Sequence, residues 1–275
     1  MRARGERILG ALGGPWTFGG QAAADFLIAD ESFASVTYVP TVDELYATLD
    51  DGTADAICVP EQTLRTGFHV GIQSGLLDAP RPLYVLRDLV HAYHCSLLLQ
   101  DEQTPLAGVQ TVLGHTGSLS QCGPWLAEHL PDAEVVVVHT NSLEAARTVL
   151  AGDGTIASVG TPSVAEELGL HQAALDIDGG STGNYWALSA TPELATRPDT
   201  LVVSGRFDPD VPLGDVVAGL HAAGARLVTA FARPSGTALF EYDHVLRFRG
   251  AVELDEVERQ LAVVPTARLV GAYTA

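Results

Sequence analysis

The 275-residue chain contains no lysine; all fifteen of its basic side chains are arginine. That absence removes whole classes of chemistry. Without lysine there is no Schiff-base catalysis, hence no pyridoxal-phosphate enzyme and no lysine aldolase, and no phosphate loop ending in Gly-Lys-Ser/Thr. Positive charge is scarce altogether: 34 Asp and Glu against 15 Arg give a net charge of −19. Such a surface repels polyanions, so neither nucleic acid nor an anionic membrane is expected as a partner. Cysteine is sparse too. Cys58, Cys95 and Cys122 show no CxxC or Cys/His ligand spacing, which reads as reduced, buried thiols in a cytoplasmic protein. No apolar run approaches the roughly eighteen residues of a membrane span. The N-terminal MRARGERILGALGGPW starts basic, but its apolar stretch is short and broken by glycine, so it reads as a first strand and not a signal peptide.

What is present is the material of a large core: 47% of the residues are hydrophobic. Short apolar runs alternate with segments of helical period, the pattern of an α/β protein with largely parallel sheets. Strands are predicted at 8–12, 35–39, 55–59, 94–99, 110–113, 134–138, 155–158 and 184–189, and helices at 18–29, 42–51, 117–130, 141–151 and 161–169. Residues 189–200, SATPELATRPDT, lack periodicity and read as a linker. Charge changes there: 1–199 hold 8 Arg and 25 Asp/Glu (8 − 25 = −17), 200–275 hold 7 and 9 (7 − 9 = −2). Beyond the linker the predicted order is strand 200–206, helix 212–223, strands 226–232 and 237–248, helix 253–262 and strand 267–273, a ferredoxin-like β-α-β-β-α-β.

Four stretches, in order, carry a resemblance. LGGPWTFGGQAA (12–23) resembles a family LGPxGTFSxxAA; DELYATLDDGTADAICVPEQT (43–63) resembles a helix followed by a GVVPIENS strand; GHTGSLSQCGPWLAEHLP (114–131) resembles a SHPQALxQC helix start; and DIDGGSTGNYWAL (176–188) falls where the family has DxxxNxTRF. Together they resemble prephenate dehydratases with a C-terminal ACT domain. The resemblance implies a two-lobed, periplasmic-binding-protein-like catalytic domain at 1–190, with lobes 1–90 plus 176–190 and 91–175, followed by a ferredoxin-like ACT domain at 200–275. It implies a cleft for prephenate between the lobes, and a homodimer, because ACT domains pair side by side. The family ESRP segment is matched only in part by Phe231-Ala232-Arg233-Pro234, and its Gly-Ala-Leu helix start is replaced by Pro212-Leu213-Gly214-Asp215, leaving Arg233 as an allosteric candidate.

The departures bear on activity. Where the family has Thr-Arg-Phe, this chain has Gly183, Asn184 and Tyr185, and the family GTFS serine becomes Gly19. In the family the threonine assists departure of the ring hydroxyl and the arginine helps hold a carboxylate. A dehydratase scaffold without that triplet resembles the non-aromatising prephenate decarboxylases of the bacilysin and salinosporamide type. The implied activity is decarboxylation of prephenate to a dihydro-4-hydroxyphenylpyruvate with the ring hydroxyl kept, for secondary metabolism. A dehydratase with a rearranged acid, in which Thr182 substitutes, and a non-catalytic metabolite sensor stand as alternatives. The electron flow needs no cofactor, since the diene accepts the pair.

The candidate residues follow from these needs. Thr17, Phe18 and Gly19 open one helix and His115, Thr116 and Ser118 open another, so two helix N-termini offer backbone N–H groups to a diacid, with glycine allowing close approach. Helix capping alone also explains these hydroxyls. Gln62, Thr63 and Asn184 supply hydrogen-bonding groups, and Arg65 offers the charge missing at 184, or is a solvated loop arginine. Proton delivery falls first to His115, then to a desolvated Glu61, with Tyr185 orienting; a capping histidine, a salt-bridged glutamate and a packed aromatic are the ordinary roles. No metal is expected: His91 and His94 have no acidic ligand at matching spacing, and Asp176 and Asp178 before Gly179-Gly180 suit a turn.

Overall fold

Helices begin where a short polar side chain turns back on the chain. In the computed structural model, which describes residues 5–139, 141–207 and 213–275, the Oγ of Thr17 accepts the Gly20 N–H at 3.1 Å and that of Thr41 the Glu44 N–H at 3.2 Å. The Asn141 amide oxygen accepts the Glu144 N–H at 3.0 Å, and His115 Nδ1 accepts the Gly117 N–H at 3.2 Å. Each satisfies an N–H that the first helical turn leaves without a carbonyl.

The chain runs β1 (Arg7–Leu12), α1 (Phe18–Ala29), β2 (Phe33–Val39), α2 (Val42–Asp51), β3 (Ala56–Thr63), β4 (Gly67–Phe68), α3 (Val70–Asp78) and β5 (Tyr84–Ala92). It then crosses to a second body of β6 (Ser96–Leu99), β7 (Thr111–Gly114), α4 (Thr116–His129), β8 (Glu134–Val137), α5 (Ser142–Leu150), β9 (Ile156–Gly160), α6 (Pro162–Leu168) and β10 (His171–Ala174). β11 (Thr182–Ser189) returns to the first body. The C-terminal part is β12 (Thr200–Phe207), α7 (Leu213–Ala222), β13 (Arg226–Pro234), β14 (Tyr242–Arg249), α8 (Leu254–Leu261) and β15 (Arg268–Tyr273).

Among the described residues three sheets result, with orders β2-β1-β3-β11-β5 (β4 on β3), β10-β6-β9-β7-β8 and β13-β14-β12-β15. The architecture is a two-lobed α/β fold followed by an antiparallel four-stranded sheet with two helices, consistent with an ACT domain. Two expectations need correction. The sheets are mixed and not largely parallel: β11 runs antiparallel to both β3 and β5, and β6 antiparallel to β9 and β10. The chain leaves the first lobe after β5 and comes back into β11 beside it, and neighbouring outbound and inbound crossings must run in opposite directions. The strand expected at 237–248 starts only at Tyr242. Before it, the Ser235 N–H donates to the Glu241 carbonyl at 3.0 Å and Phe240 adopts φ 71°, closing a loop that delays the ladder. The expected helix start at Pro212 lies outside the described residues.

The placement of the C-terminal sheet matters most for the site. Its helices cover one face, burying Leu201, Val203, Leu220, Leu246, Phe248 and Val257. Its other face, with Val202, Phe231, Val245, Val270 and Tyr273, shares one apolar cluster with Ile57, Val59, Val85, Trp186 and Leu188 of the first lobe. Gly271 permits this approach, since a Cβ there would stand 2.9 Å from the Val85 carbonyl oxygen. β11 is therefore covered on both faces, by α1 and by the C-terminal sheet, which accounts for its nearly continuous burial. Among the described residues no helix is long and apolar enough to cross a membrane.

Candidate active site

The two lobes meet at the start of α1. Thr161, at the N-cap position of α6, donates its hydroxyl to the Trp16 carbonyl at 2.9 Å, and the Gln21 amide donates to Ser163 at 3.2 Å. Phe18 packs against the cores of both lobes. From the second lobe, the buried Gln121 of α4 accepts the Ser181 hydroxyl at 2.6 Å, and its amide lies 3.4 Å from the Thr63 hydroxyl at the end of β3. Thr63, Gln121 and Ser181 thus join both lobes through polar groups. Gln121 and Ser181 lie within the quoted motif stretches and were not singled out by residue type alone.

Thr17 occupies its expected place at the head of α1; its hydroxyl reaches the carbonyls of Leu12 and Gly14 at 2.9 and 2.8 Å as well as capping the helix. Gly20, further into the helix, is required by packing. A Cβ on Gly20 would lie 2.1 Å from the Gly14 carbonyl oxygen, so it is the protein's own 13–15 loop that approaches closely, while Gly19 has only ordinary contacts with Leu12. At α4, Ser118 returns its hydroxyl to the His115 carbonyl at 3.0 Å, and Thr116 begins the helix. Burial and the neighbouring His139 push the His115 imidazole below its ordinary value, in keeping with its role as a neutral acceptor for the Gly117 N–H.

On β11 the side chains split between the two faces. Gly183 and Tyr185 belong to the α1 face. Tyr185 is buried, with its hydroxyl 3.3 Å from that of Tyr93, and the Tyr93 ring lies 4.4 Å from that of Phe18, tilted by 44°. A Cβ on Gly183 would lie 2.2 Å from the Tyr93 phenol oxygen and 3.1 Å from the Tyr185 ring. Burial raises both phenols above their ordinary value, so they stay protonated. Tyr93, at the crossing between the lobes, carried no sequence signal for this position.

Asn184 and Glu61 sit with the opposite face. The Asn184 amide donates to Glu61 Oε2 at 2.7 Å, and the buried Arg247 of β14 brings Nη1 within 3.4 Å of the same oxygen. Burial pushes the Glu61 carboxyl up; Arg247 and the Asn184 amide pull it back part of the way. The sequence expectation that Arg65 supplies the charge missing at 184 is not met. The Arg65 Nε donates to the Asp178 carbonyl at 3.1 Å, with Nη2 on the same oxygen, closing the turn before β11. Arg247, from the other domain, is the cation beside Asn184. Thr182 begins β11 next to this turn, and its carbonyl accepts the Leu64 N–H at 2.8 Å.

The remaining candidates are partnered elsewhere. His91 pairs with Asp25 at 2.7 Å and His94 with Asp176 at 2.9 Å. Asp178 accepts the N–H groups of Cys95 and Ser181. Among the described residues no group of three or more His, Cys, Asp or Glu is arranged to hold a metal. Arg233 pairs with Asp78 at the end of α3 and lies 3.5 Å from Asp243, tying β13 to the first lobe.

A family model described as prephenate dehydratase matches residues 9–191. The chain belongs to the prephenate dehydratase family. It is 31% identical over 243 residues to a prephenate dehydratase of Mycobacterium sp. (strain JLS), covering 84% of this chain and 74% of that one. It is 29% identical over 208 residues to the bifunctional chorismate mutase/prephenate dehydratase of Neisseria gonorrhoeae, covering 74% of this chain but spanning only 56% of that protein. Among solved structures, the prephenate dehydratase of Arthrobacter aurescens in complex with L-Phe superposes with a TM-score of 0.78 at 23% identity, covering 98% and 90% of the two chains. A structure described as a novel type of quorum-quenching acylase superposes equally well, at TM-score 0.78, 18% identity and 98% coverage of both chains. The fold alone therefore does not choose a reaction.

Proposed function

We propose that this family member is a prephenate decarboxylase that keeps the ring hydroxyl. The observation that carries the reading is the packing at Gly183. The motif resemblance puts this glycine where family dehydratases have their threonine, and the Tyr93 phenol fills the space that a side chain there would need. The neighbouring Asn184 is neutral and committed to Glu61. In this reading the site lacks the aliphatic hydroxyl that assists hydroxyl departure, and β11 itself carries no charge at 184 to hold a carboxylate.

Loss of carbon dioxide from the quaternary ring carbon of prephenate releases an electron pair into the diene. If the hydroxyl leaves with that pair, the ring becomes aromatic. If a proton reaches a ring carbon first, a dihydro-4-hydroxyphenylpyruvate forms and the hydroxyl survives. The second outcome requires a site that grips two carboxylates, withholds a proton from the hydroxyl and supplies one to carbon. The N-termini of α1 and α4 offer N–H groups for the carboxylates. His115 at the head of α4 is the proton donor of this reading, and Thr63 and Gln121 hold the polar seam between the lobes.

The curated relatives favour a second reading. Those of the mycobacterial and gonococcal proteins are named for prephenate dehydratase activity, and a dehydratase with Tyr93 or Thr182 replacing the lost threonine would act on the same substrate. Proton NMR of the product from purified, metal-stripped protein and prephenate, with carbon dioxide release followed in parallel, tests the two. Olefinic ring protons with the carbinol signal retained support the decarboxylase. Aromatic phenylpyruvate signals overturn it in favour of the dehydratase, and saturable binding without turnover overturns both in favour of a sensor.

A further inference from the structure

We propose that Arg247 is a positioning residue of this site, through which the C-terminal domain lends the cation that fixes the ends of β3 and β11. This deepens the functional reading above and rests on it for the substrate. The argument starts from the ladder between those strands. Asn184 pairs with Gln62 and Tyr185 with Pro60, so Glu61 is an extra residue with no partner on β11. Such a bulge bends its strand and re-aims the residues that follow, here Gln62 and Thr63, which lie on the seam between the lobes. With no ladder partner, the bulge depends on other anchors.

Glu61 has three. Its carbonyl accepts the His69 N–H at 2.8 Å, its carboxylate takes the Asn184 amide, and the same carboxylate oxygen faces Arg247. Arg247 reaches both strands that flank β11. One Nη meets Glu61 of β3 and the other bonds Asp88 of β5, with Arg249 3.4 Å from Asp88 on the outer side. Arg247, Glu61 and Asp88 are all buried, the two carboxylate side chains being 1% and 4% exposed. A planar guanidinium can bond two carboxylates in one plane, which a single ammonium cannot do. Removing it leaves two desolvated carboxylates near one another and without a cation between them. Arg247 thus meets β3 at Glu61, and two residues further along the same strand Thr63 meets Gln121 of α4, so β3 connects the C-terminal sheet to the second lobe.

The test uses the full chain with Arg247→Met, Arg247→Lys and the relocation pair Asn184→Arg/Arg247→Met, which moves the cation onto β11. Hydrogen exchange and steady-state consumption of prephenate are measured on each. Arg247→Met is expected to speed amide exchange across 60–66 and 182–186 roughly tenfold while leaving the 226–234 strand unchanged. It is expected to lower kcat/KM for prephenate by about tenfold or more, because sub-ångström misplacement of substrate groups is costly. Arg247→Lys should fall between, and the relocation pair should recover part of both losses. If Arg247→Met does not fold, the lysine variant and the relocation pair carry the comparison. Unchanged exchange at 60–66, faster exchange with unaltered kcat and KM, or a relocation pair no better than the single variant would each overturn the proposal. Wild-type protein inert towards prephenate would sink the functional reading instead, and exchange alone would then decide whether Arg247 pins the bulge.

Discussion

Gly183→Ala is the smallest change that probes the space on which the functional reading turns. The new methyl would sit 2.2 Å from the Tyr93 oxygen and 2.8 Å from the carbon bearing it. Ordinary contact is about 3.5 Å, so the ring would have to retreat by about 1 Å. It has little room: Phe18 lies at 4.4 Å, His91 at 5.8 Å between ring centres, and Tyr185 shares its hydroxyl contact. Overpacking of this kind costs about 1–3 kcal/mol. Alanine recovers about 0.5–1 kcal/mol of backbone entropy relative to glycine, so a net loss of about 1–2 kcal/mol is expected. At about 2–4 °C per kcal/mol for a chain of this size class, thermal unfolding should fall by about 2–8 °C. The decisive comparison is the same substitution in a Tyr93→Ala background. That variant is itself destabilised by about 3–5 kcal/mol through loss of a buried aromatic, but there the alanine at 183 should be neutral or stabilising. Tyr93→Phe should not rescue, since the ring carbon remains too close. If Gly183→Ala costs the same in both backgrounds within about 0.5 kcal/mol, the two residues do not compete for one space and the reasoning fails.

Two further outcomes follow from the titrating groups. If His115 donates the proton, its lowered pKa means the charged form is populated only on the acid side of the ordinary histidine value. Then kcat/KM should fall as pH rises through that lowered value, and His115→Gln should reduce turnover and abolish this limb; full activity in His115→Gln would remove His115 from the mechanism. All three cysteines are buried, and the thiols of Cys58 and Cys95 are held up, the first by burial and the second by its hydrogen bond to Cys122 and by burial. The native protein should therefore resist a disulfide reagent such as DTNB, and all three thiols should react in denaturant. A single fast thiol in the native state would contradict the packing.

Local chemistry made much of the fold readable in the sequence. Thr17 and Thr41 mark the starts of α1 and α2, and the predicted ranges 18–29 and 42–51 coincide with those helices. Period and capping are local properties, and both helices carry them within a dozen residues. β5 escaped prediction because YVLRDLVHA mixes charged and apolar residues without alternation; its Asp88 is buried only because Arg247 arrives from 159 residues away. The same separation hid the site's electrostatics. Gly183, Asn184 and Tyr185 announced what had been lost, but the groups that pack beside them came from Tyr93, across a strand pair, and from Arg247, in another domain. Arg65 was near in sequence and chemically suitable, yet the Asp178 carbonyl claims it. Residue type and spacing identify local capacity; the partner that uses it is set by topology.

The cluster shared by the first lobe and the C-terminal sheet also limits how the cleft can move. Separating those two bodies would expose Val202, Val245, Val270, Trp186 and Leu188 together, and Gly271 has already brought β15 against the backbone of β5. Those parts must travel as one block. Among the described residues the second lobe is joined to that block by two crossings, near residues 93–95 and 175–181, by the Phe18 ring packed on both cores, and by polar contacts such as Thr161 to Trp16 and Gln21 to Ser163. Hydrogen bonds to water can replace those contacts at little net cost, whereas nothing replaces the buried apolar face. Opening of the cleft is therefore expected to turn the second lobe against the block formed by the first lobe and the C-terminal sheet.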